Sequence, residues 1–365
     1  MSGVYVISGG GTGGHVTPAL ALGEALRRQG EAVLFVGTER GIEKRLVPEA
    51  GFELVTLDAR PVIGRSPLAR AAALLALARA TLAARRLLRA RGARVVLAVG
   101  GYASVPAALA GALARIPVAL VNTDAVPGLA NRVLARFARR VFVGWPGAAA
   151  AFGGGPRVEV SGVPLRDALR LAFASSARDE KPREDDRLHL FAFGGSQGAR
   201  QINEALLAAL PALDPARVAV VHQTGESDRA RVEAGYRAAG FDAVVTAFER
   251  DMPSRYRWAD LVVCRAGAIS VAELALAGRP ALLVPLGHVG GGEQFANARE
   301  LERAGAARVL DSRNLAHEAF TRELVALLDD PALLRAMGTK AAALARPDAA
   351  DAIARRSRAL AGERA

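Results

Sequence analysis

Gly9-Gly10-Gly11-Thr12-Gly13-Gly14-His15 follows directly on the apolar run Val4-Tyr5-Val6-Ile7 and leads into a segment of helical periodicity. Glycines let a backbone approach a phosphate closely, and the helix behind them offers unpaired N–H groups and the positive end of its dipole. The segment ends in His15. An imidazole at the mouth of such a turn can act as a general base near neutral pH, although it could equally do no more than hydrogen-bond the backbone. Gly9, Gly11 and Gly14 also satisfy dinucleotide-binding spacing, with Glu39 placed for a ribose, so a nucleotide-binding oxidoreductase is a second reading. No Gly-Lys-Ser/Thr is present, which excludes a P-loop.

Further glycine turns follow other strand-like runs. Gly100-Gly101-Tyr102-Ala103-Ser104 leads into a helix through Pro106. In one parallel sheet such turns converge on the ligand crevice, so this one and the first could share an anionic group. Gly194-Gly195-Ser196-Gln197-Gly198-Ala199-Arg200 repeats the arrangement later, with Ser196 placed to donate to a phosphate oxygen. In Cys264-Arg265-Ala266-Gly267-Ala268-Ile269-Ser270-Val271-Ala272-Glu273 a glycine turn again opens a helix. Ser270 and Glu273 have the spacing of a capping box, yet a carboxylate there could also grip two ribose hydroxyls. The glycine-rich segment from Pro285 through His288 ends in Glu293 and Gln294, polar groups able to reach a sugar. No two aspartates stand two apart, and the five histidines His15, His189, His222, His288 and His317 lack metal-ligand spacing. Chemistry without a metal is favoured.

Two series of elements must position these turns. Apolar runs suited to strands are Val4–Ser8, Ala32–Val36, Glu53–Leu57, Val95–Val99, Val118–Val121 and Arg140–Val143, then Leu188–Phe193, Val218–His222, Ala243–Thr246, Leu261–Cys264 and Ala281–Val284. Long Ala/Leu/Arg segments alternate with them, the pattern of a parallel α/β sheet covered on both faces. The two series echo one another, and 365 residues exceed one ordinary core. Two Rossmann-like domains are therefore expected, residues 1–163 and 164–345, with a hinge near Ser161-Gly162-Val163-Pro164 and a final helix, about 346–365, returning to the first.

A single cysteine, Cys264, rules out a disulfide framework. The formal net charge of +12 suits anionic partners, and an Arg-rich composition explains it as well. With 5% aromatic residues and no nucleic-acid motif, a nucleic-acid reader is not expected. No signal peptide and no membrane span are read, which suggests a cytoplasmic protein. From Arg60 to Arg94 an Ala/Leu-rich helix carries Arg65, Arg70, Arg79, Arg85, Arg86, Arg89 and Arg91 after the loop Val62–Arg65. The loop and its basic rim suit an anionic membrane surface, while the central turns fit an ordinary packed helix.

Taken together, Gly9–Pro18, Gly100–Pro106, Gly128–Asn131, Gly194–Arg200, His222–Gly225, Cys264–Pro285 and Gln294–Ala298 resemble the MurG-type family, and the likeness runs nearly end to end. These transferases add N-acetylglucosamine to an undecaprenyl-diphosphate-linked N-acetylmuramoyl-pentapeptide. The resemblance implies a GT-B fold, two Rossmann-like domains with parallel sheets facing across a cleft, and an inverting transfer with no metal and no cofactor. By analogy Thr12, Gly13, Gly14, Asp124, Arg166, Ser196, Arg265, Ala268, Ile269, Ser270, Glu273 and Gln294 would bind UDP-N-acetylglucosamine, with Glu273 on the ribose. The acceptor diphosphate would meet Gly13, Gly14, Gly101, Tyr102, Ser104 and Asn131, and His15 would deprotonate the acceptor C4 hydroxyl. The resemblance also implies peripheral attachment at the cytoplasmic face of the inner membrane and protein partners in wall synthesis and division. Val121-Asn122-Thr123-Asp124 departs from the family's usual His-Glu-Gln-Asn, and Gly291-Gly292-Glu293 replaces its more usual acidic and polar residues. Those changes leave room for another acceptor, or for a binding protein with a decayed site.

Overall fold

A computed structural model describes residues 3–39, 41–59, 67–174, 185–195, 197–287, 292–312 and 315–362, with side chains of the helix Pro67–Ala90 described from residue 72 onward. The loop Val62–Arg65, Ser196, His288 and Gly291 lie outside the described residues. The chain forms two compact units, Met1–Asp167 with Arg346–Ala365, and Ala168–Ala345.

In the first unit β1 (Tyr5–Ser8), β2 (Val33–Thr38), β3 (Glu53–Leu57), β4 (Val95–Ala98), β5 (Val118–Asn122), β6 (Arg140–Val143) and β7 (Val158–Val160) form one parallel sheet in the order β3-β2-β1-β4-β5-β6-β7. In the second, β8 (Leu188–Phe193), β9 (Val218–Gln223), β10 (Val244–Thr246), β11 (Leu261–Cys264), β12 (Ala281–Leu283) and β13 (Ala307–Val309) follow the order β10-β9-β8-β11-β12-β13. Each order reverses beside the unit's first strand, between β1 and β4 and between β8 and β11. Register then sets the turns level. Ser8 pairs with Ala98, so the Gly9 and Gly100 turns leave the sheet side by side, and Phe193 pairs with Cys264 to the same effect. Such a switch point is where open α/β sheets bind ligands.

Central strands are apolar on both faces because helices cover both. The helix Gly13–Arg28 buries Val16, Leu20, Leu22 and Leu26 against Ile7, Phe35 and Leu97. The opposite face is packed by Ala80, Ala84 and Leu88 of the helix Pro67–Ala90 and by Ala107 and Ala110 of Val105–Leu113. The final helix, Ala349–Gly362, adds Ile353, Ala354 and Leu360 to the first unit's core. Arg28 pairs with Asp351 at 2.6 Å and also with Asp167, fastening both segments that pass between the units to one helix. The edge strands β7 and β13 are absent from the sequence reading. Glu159 and Arg308 interrupt their apolar pattern, and each has only three residues.

Candidate functional site

The first glycine loop leaves β1 beneath the N-terminus of Gly13–Arg28. Thr12 is the N-cap, in extended conformation and with no side-chain cap, while the amides of His15 and Val16 return to its carbonyl at 3.2 and 3.1 Å. Gly13 and Gly14 are exposed, so the first turn presents backbone N–H groups outward. His15 sits half-buried at the switch point, its Nδ1 3.1 Å from the Thr12 hydroxyl. The neighbouring turn is shaped around this ring. A Cβ on Gly100 would lie 2.9 Å from His15 Cδ2, and one on Gly101 3.3 Å from Nδ1; both residues also have positive φ. Burial lowers the His15 pKa, and the charges of Asp124 and Glu43 act against that shift. The ring therefore favours its neutral, proton-accepting form, with carboxylates near enough to stabilise the cation when a proton arrives.

The expected acceptor residues divide once placed. Tyr102 lies over Gly11, its Cε1 3.3 Å from where a Cβ would stand, at the edge of the same turn. Ser104 is fully buried and donates to the Gly101 carbonyl at 2.9 Å, so its hydroxyl braces the turn from inside. Asn131 is 7% exposed and donates to Asn122 Oδ1 at 2.9 Å, while Asn122 donates to the Asp124 carbonyl at 2.6 Å. The Asn131 Oδ1 has no partner among the described residues and lies 3.2 Å from the same empty Gly100 Cβ position as His15 Nε2. A buried acceptor without a donor costs about 1–3 kcal/mol, so this atom marks a place for a ligand's hydroxyl or amide. Glu39, the ribose acid of the dinucleotide reading, is exposed. The carboxylate that does reach the loop is Glu43, which accepts from the Gly11 amide at 2.9 Å. Sequence reasoning passed over it, because nothing in its neighbourhood announces a contact 32 residues back along the chain.

In the second unit the turn after β8 is held closely against the turn after β9. Gly198 has φ of +74°, and a methyl there would overlap the Thr224 carbonyl. Gly194 N donates to Gln223 Oε1 at 3.3 Å, and Asn203 donates to Thr224 O at 3.0 Å. His222 lies behind them, fully buried between Tyr236 and Asn203, its pKa pushed down to about 3 by burial. His189 is stacked on Trp258 and bonded to the Trp258 carbonyl. Both are packing residues.

Beside that turn, the helix Ala268–Ala277 begins at the N-cap Gly267 with no side-chain cap. Ser270 and Glu273 therefore stand inside the helix, and the capping-box alternative falls. Tyr256 donates to Glu273 Oε2 at 2.8 Å, and burial pushes the Glu273 pKa up to about 7. Arg265 donates to the Val284 carbonyl at 2.9 Å and to Gln201 Oε1 at 2.8 Å. Gln294, at the start of the helix Glu293–Arg303, accepts from Leu286 N at 2.9 Å. Arg166 was expected among the donor contacts of the second domain. It lies in the first unit, which extends to Asp167, and is bonded to Glu24 at 2.7 Å.

Comparison with known proteins matches residues 5–143 to the glycosyltransferase family 28 N-terminal domain and residues 189–353 to the glycosyltransferase family 28 C-terminal domain. A protein of Anaeromyxobacter sp. (strain Fw109-5) is 43% identical over 96% of this chain and 91% of its own length. One from Geobacter sulfurreducens is 40% identical over 95% of this chain and 96% of its own. Both are named UDP-N-acetylglucosamine–N-acetylmuramyl-(pentapeptide) pyrophosphoryl-undecaprenol N-acetylglucosamine transferase. The crystal structure of Acinetobacter baumannii MurG superposes with a TM-score of 0.82 at 30% identity, covering 98% of this chain and 99% of that one.

Proposed function

The chain belongs to glycosyltransferase family 28, with the α/β GT-B fold of that class, and on that premise we propose that it transfers N-acetylglucosamine from its UDP donor to the C4 hydroxyl of a lipid-linked N-acetylmuramoyl-pentapeptide. The observation that carries the reading is the seat of His15, a proton-accepting imidazole at a switch point, pressed between the Thr12 hydroxyl and the Gly100–Gly101 turn.

In the tautomer whose Nδ1 donates to the Thr12 hydroxyl, Nε2 is left to take the proton of the acceptor hydroxyl as its oxygen attacks the anomeric carbon. The bond from that carbon to UDP breaks on the opposite face, which inverts the centre and leaves both electrons on the departing diphosphate. The new positive charge on His15 is offset by Asp124 and Glu43. Asn131 Oδ1, without a partner among the described residues, is suited to accept from an acceptor hydroxyl or amide. The acceptor diphosphate then meets the outward amides of Gly13 and Gly14 and the Gly101–Tyr102 turn, while Ser104 supports that turn from within.

On the second unit, the N-terminus of Ala268–Ala277 faces the developing charge of UDP, an interaction worth about 0.3–1 kcal/mol exposed and more where water is excluded. Glu273 takes the ribose hydroxyls, and Gln294 the sugar. Arg265 sets the floor of the donor site through Val284 and Gln201. Substituting Ala for His15 should cut turnover by about 10²–10⁴ while calorimetry still records UDP binding. Turnover near the wild-type rate would remove His15 from the role of base.

The protein acts, on this reading, at the cytoplasmic face of the membrane. No helix among the described residues is long and apolar enough to cross one. The outer face of Pro67–Ala90 is apolar and basic at once. Leu74, Leu75 and Leu82 are each more than half exposed, beside the exposed Arg79, Arg86 and Arg89. In the central turns Leu74, Leu75 and Leu82 face outward while Ala73, Ala80 and Ala84 face the core, which offers lipid an apolar surface beside the basic rim.

A further inference from the structure

Glu43 opens the helix Glu43–Glu49 and is fully buried. Its Oε1 accepts from the Thr38 amide at 2.9 Å and the Thr38 hydroxyl at 2.8 Å, which fixes the end of β2. Its Oε2 accepts from the Gly11 amide at 2.9 Å, in the middle of the first glycine loop. Three glycines make room for the group. A methyl on Gly10 or Gly41 would overlap the carboxylate, and one on Gly37 would come within 2.6 Å of Glu43 Cγ. None of the three has a positive φ, so backbone conformation does not require glycine there. The volume of the Glu43 side chain does.

We infer that Glu43 is a positioning residue for the acceptor side of the transfer: its bond to Gly11 N fixes the loop just ahead of Thr12, Gly13, Gly14 and His15, and closes Gly10–Gly11 to anions. An anion arriving at Gly11 would find that amide already engaged and a negative charge behind it. The phosphates of a ligand are thereby turned toward Gly13 and Gly14, and the part of the loop nearest Glu43 is left for uncharged sugar. Glu43 also supports protonated His15 at a distance, as does Asp124.

The kinetic readout rests on the proposed transfer, so a second readout is independent of it. Full-length Glu43→Gln loses the charge and sets an amide or a weaker acceptor against Gly11. Its transfer kcat should fall by about ten-fold or more, the donor KM staying within about two-fold, because the loop moves while Arg265, Glu273 and Gln294 of the second unit do not. Gly41→Ala, which crowds an intact carboxylate, should reproduce that split. In the ¹⁵N–¹H spectrum the Gly11 amide, bonded to a carboxylate in the wild type, should shift upfield in Glu43→Gln. A folded Glu43→Gln protein with wild-type kcat and an unmoved Gly11 resonance would overturn the inference. If Glu43→Gln does not fold, Thr38→Val removes one donor and keeps the charge. It should lower kcat by about three-fold at unchanged donor KM, and an unchanged kcat would be equally contrary. Should the wild type itself transfer nothing, the function fails, while the Gly11 resonance still decides whether Glu43 holds the loop.

Discussion

His15, the proposed base, sits between opposing forces. Burial against the Gly100 turn lowers its proton affinity, and Asp124 and Glu43 pull the other way. The lowered value places the acid limb of kcat/KM below about pH 6.5, the ordinary imidazole value. Replacing Asp124 with Asn should move that limb lower still, since it removes a charge that favours the imidazolium. A limb at or above about 6.5 in the wild type would contradict the geometry around the ring. At this scale the sequence is partly legible. A histidine ending a glycine turn declares itself, because the turn and the helix dipole are local. Ser104 and Asn131 do not, since whether a hydroxyl faces a ligand or braces its own turn depends on the neighbouring strand. Glu43 was illegible for the same reason: its partner is supplied by register between β1 and β2.

At the scale of elements, the helix Ala268–Ala277 is the proposed seat of the donor, and its titrating member is Glu273. The pKa raised to about 7 means that the unliganded second unit holds the protonated form more tightly than the unfolded chain does. The stability this adds is complete below about pH 4.5 and is lost as pH rises through about 7. Ribose hydroxyls donate to a carboxylate, so UDP affinity should rise with pH across that same interval. Calorimetry at successive pH values measures it, and Glu273→Gln should flatten the curve; a slope that survives the substitution would place the titration elsewhere. His222 acts in the opposite sense. With a pKa pushed down to about 3, it costs the second unit stability as pH falls below about 6.5, where the unfolded chain takes up a proton and the native one does not. Central strands were legible because burial on both faces writes an unbroken apolar run. The edge strands β7 and β13 were not, because three residues with a charge at the middle carry no such signal. The capping-box spacing at Ser270 misled for a related reason: the helix starts at Gly267, one turn earlier.

Across the whole chain, the last helix belongs to the first unit although it follows the second in sequence. Ile353 is fully buried in the core that contains the His15 helix. Ile353→Ala should therefore cost about 2–5 kcal/mol, read as a lower denaturant midpoint for the first unit, and truncation after Ala345 should remove more. The apolar and basic outer face of Pro67–Ala90 should bind anionic vesicles, each well-placed cation adding about 1 kcal/mol, with binding weakening sharply as salt is added. Absent or salt-independent co-sedimentation would count against the membrane reading. The proposed transfer can be followed with labelled N-acetylglucosamine moving from its UDP donor onto a short-chain lipid-linked N-acetylmuramoyl-pentapeptide, with and without EDTA. A labelled disaccharide lipid should form at equal rates in both. Saturable UDP binding with no labelled product would refute the transfer, leaving the family fold with a different acceptor.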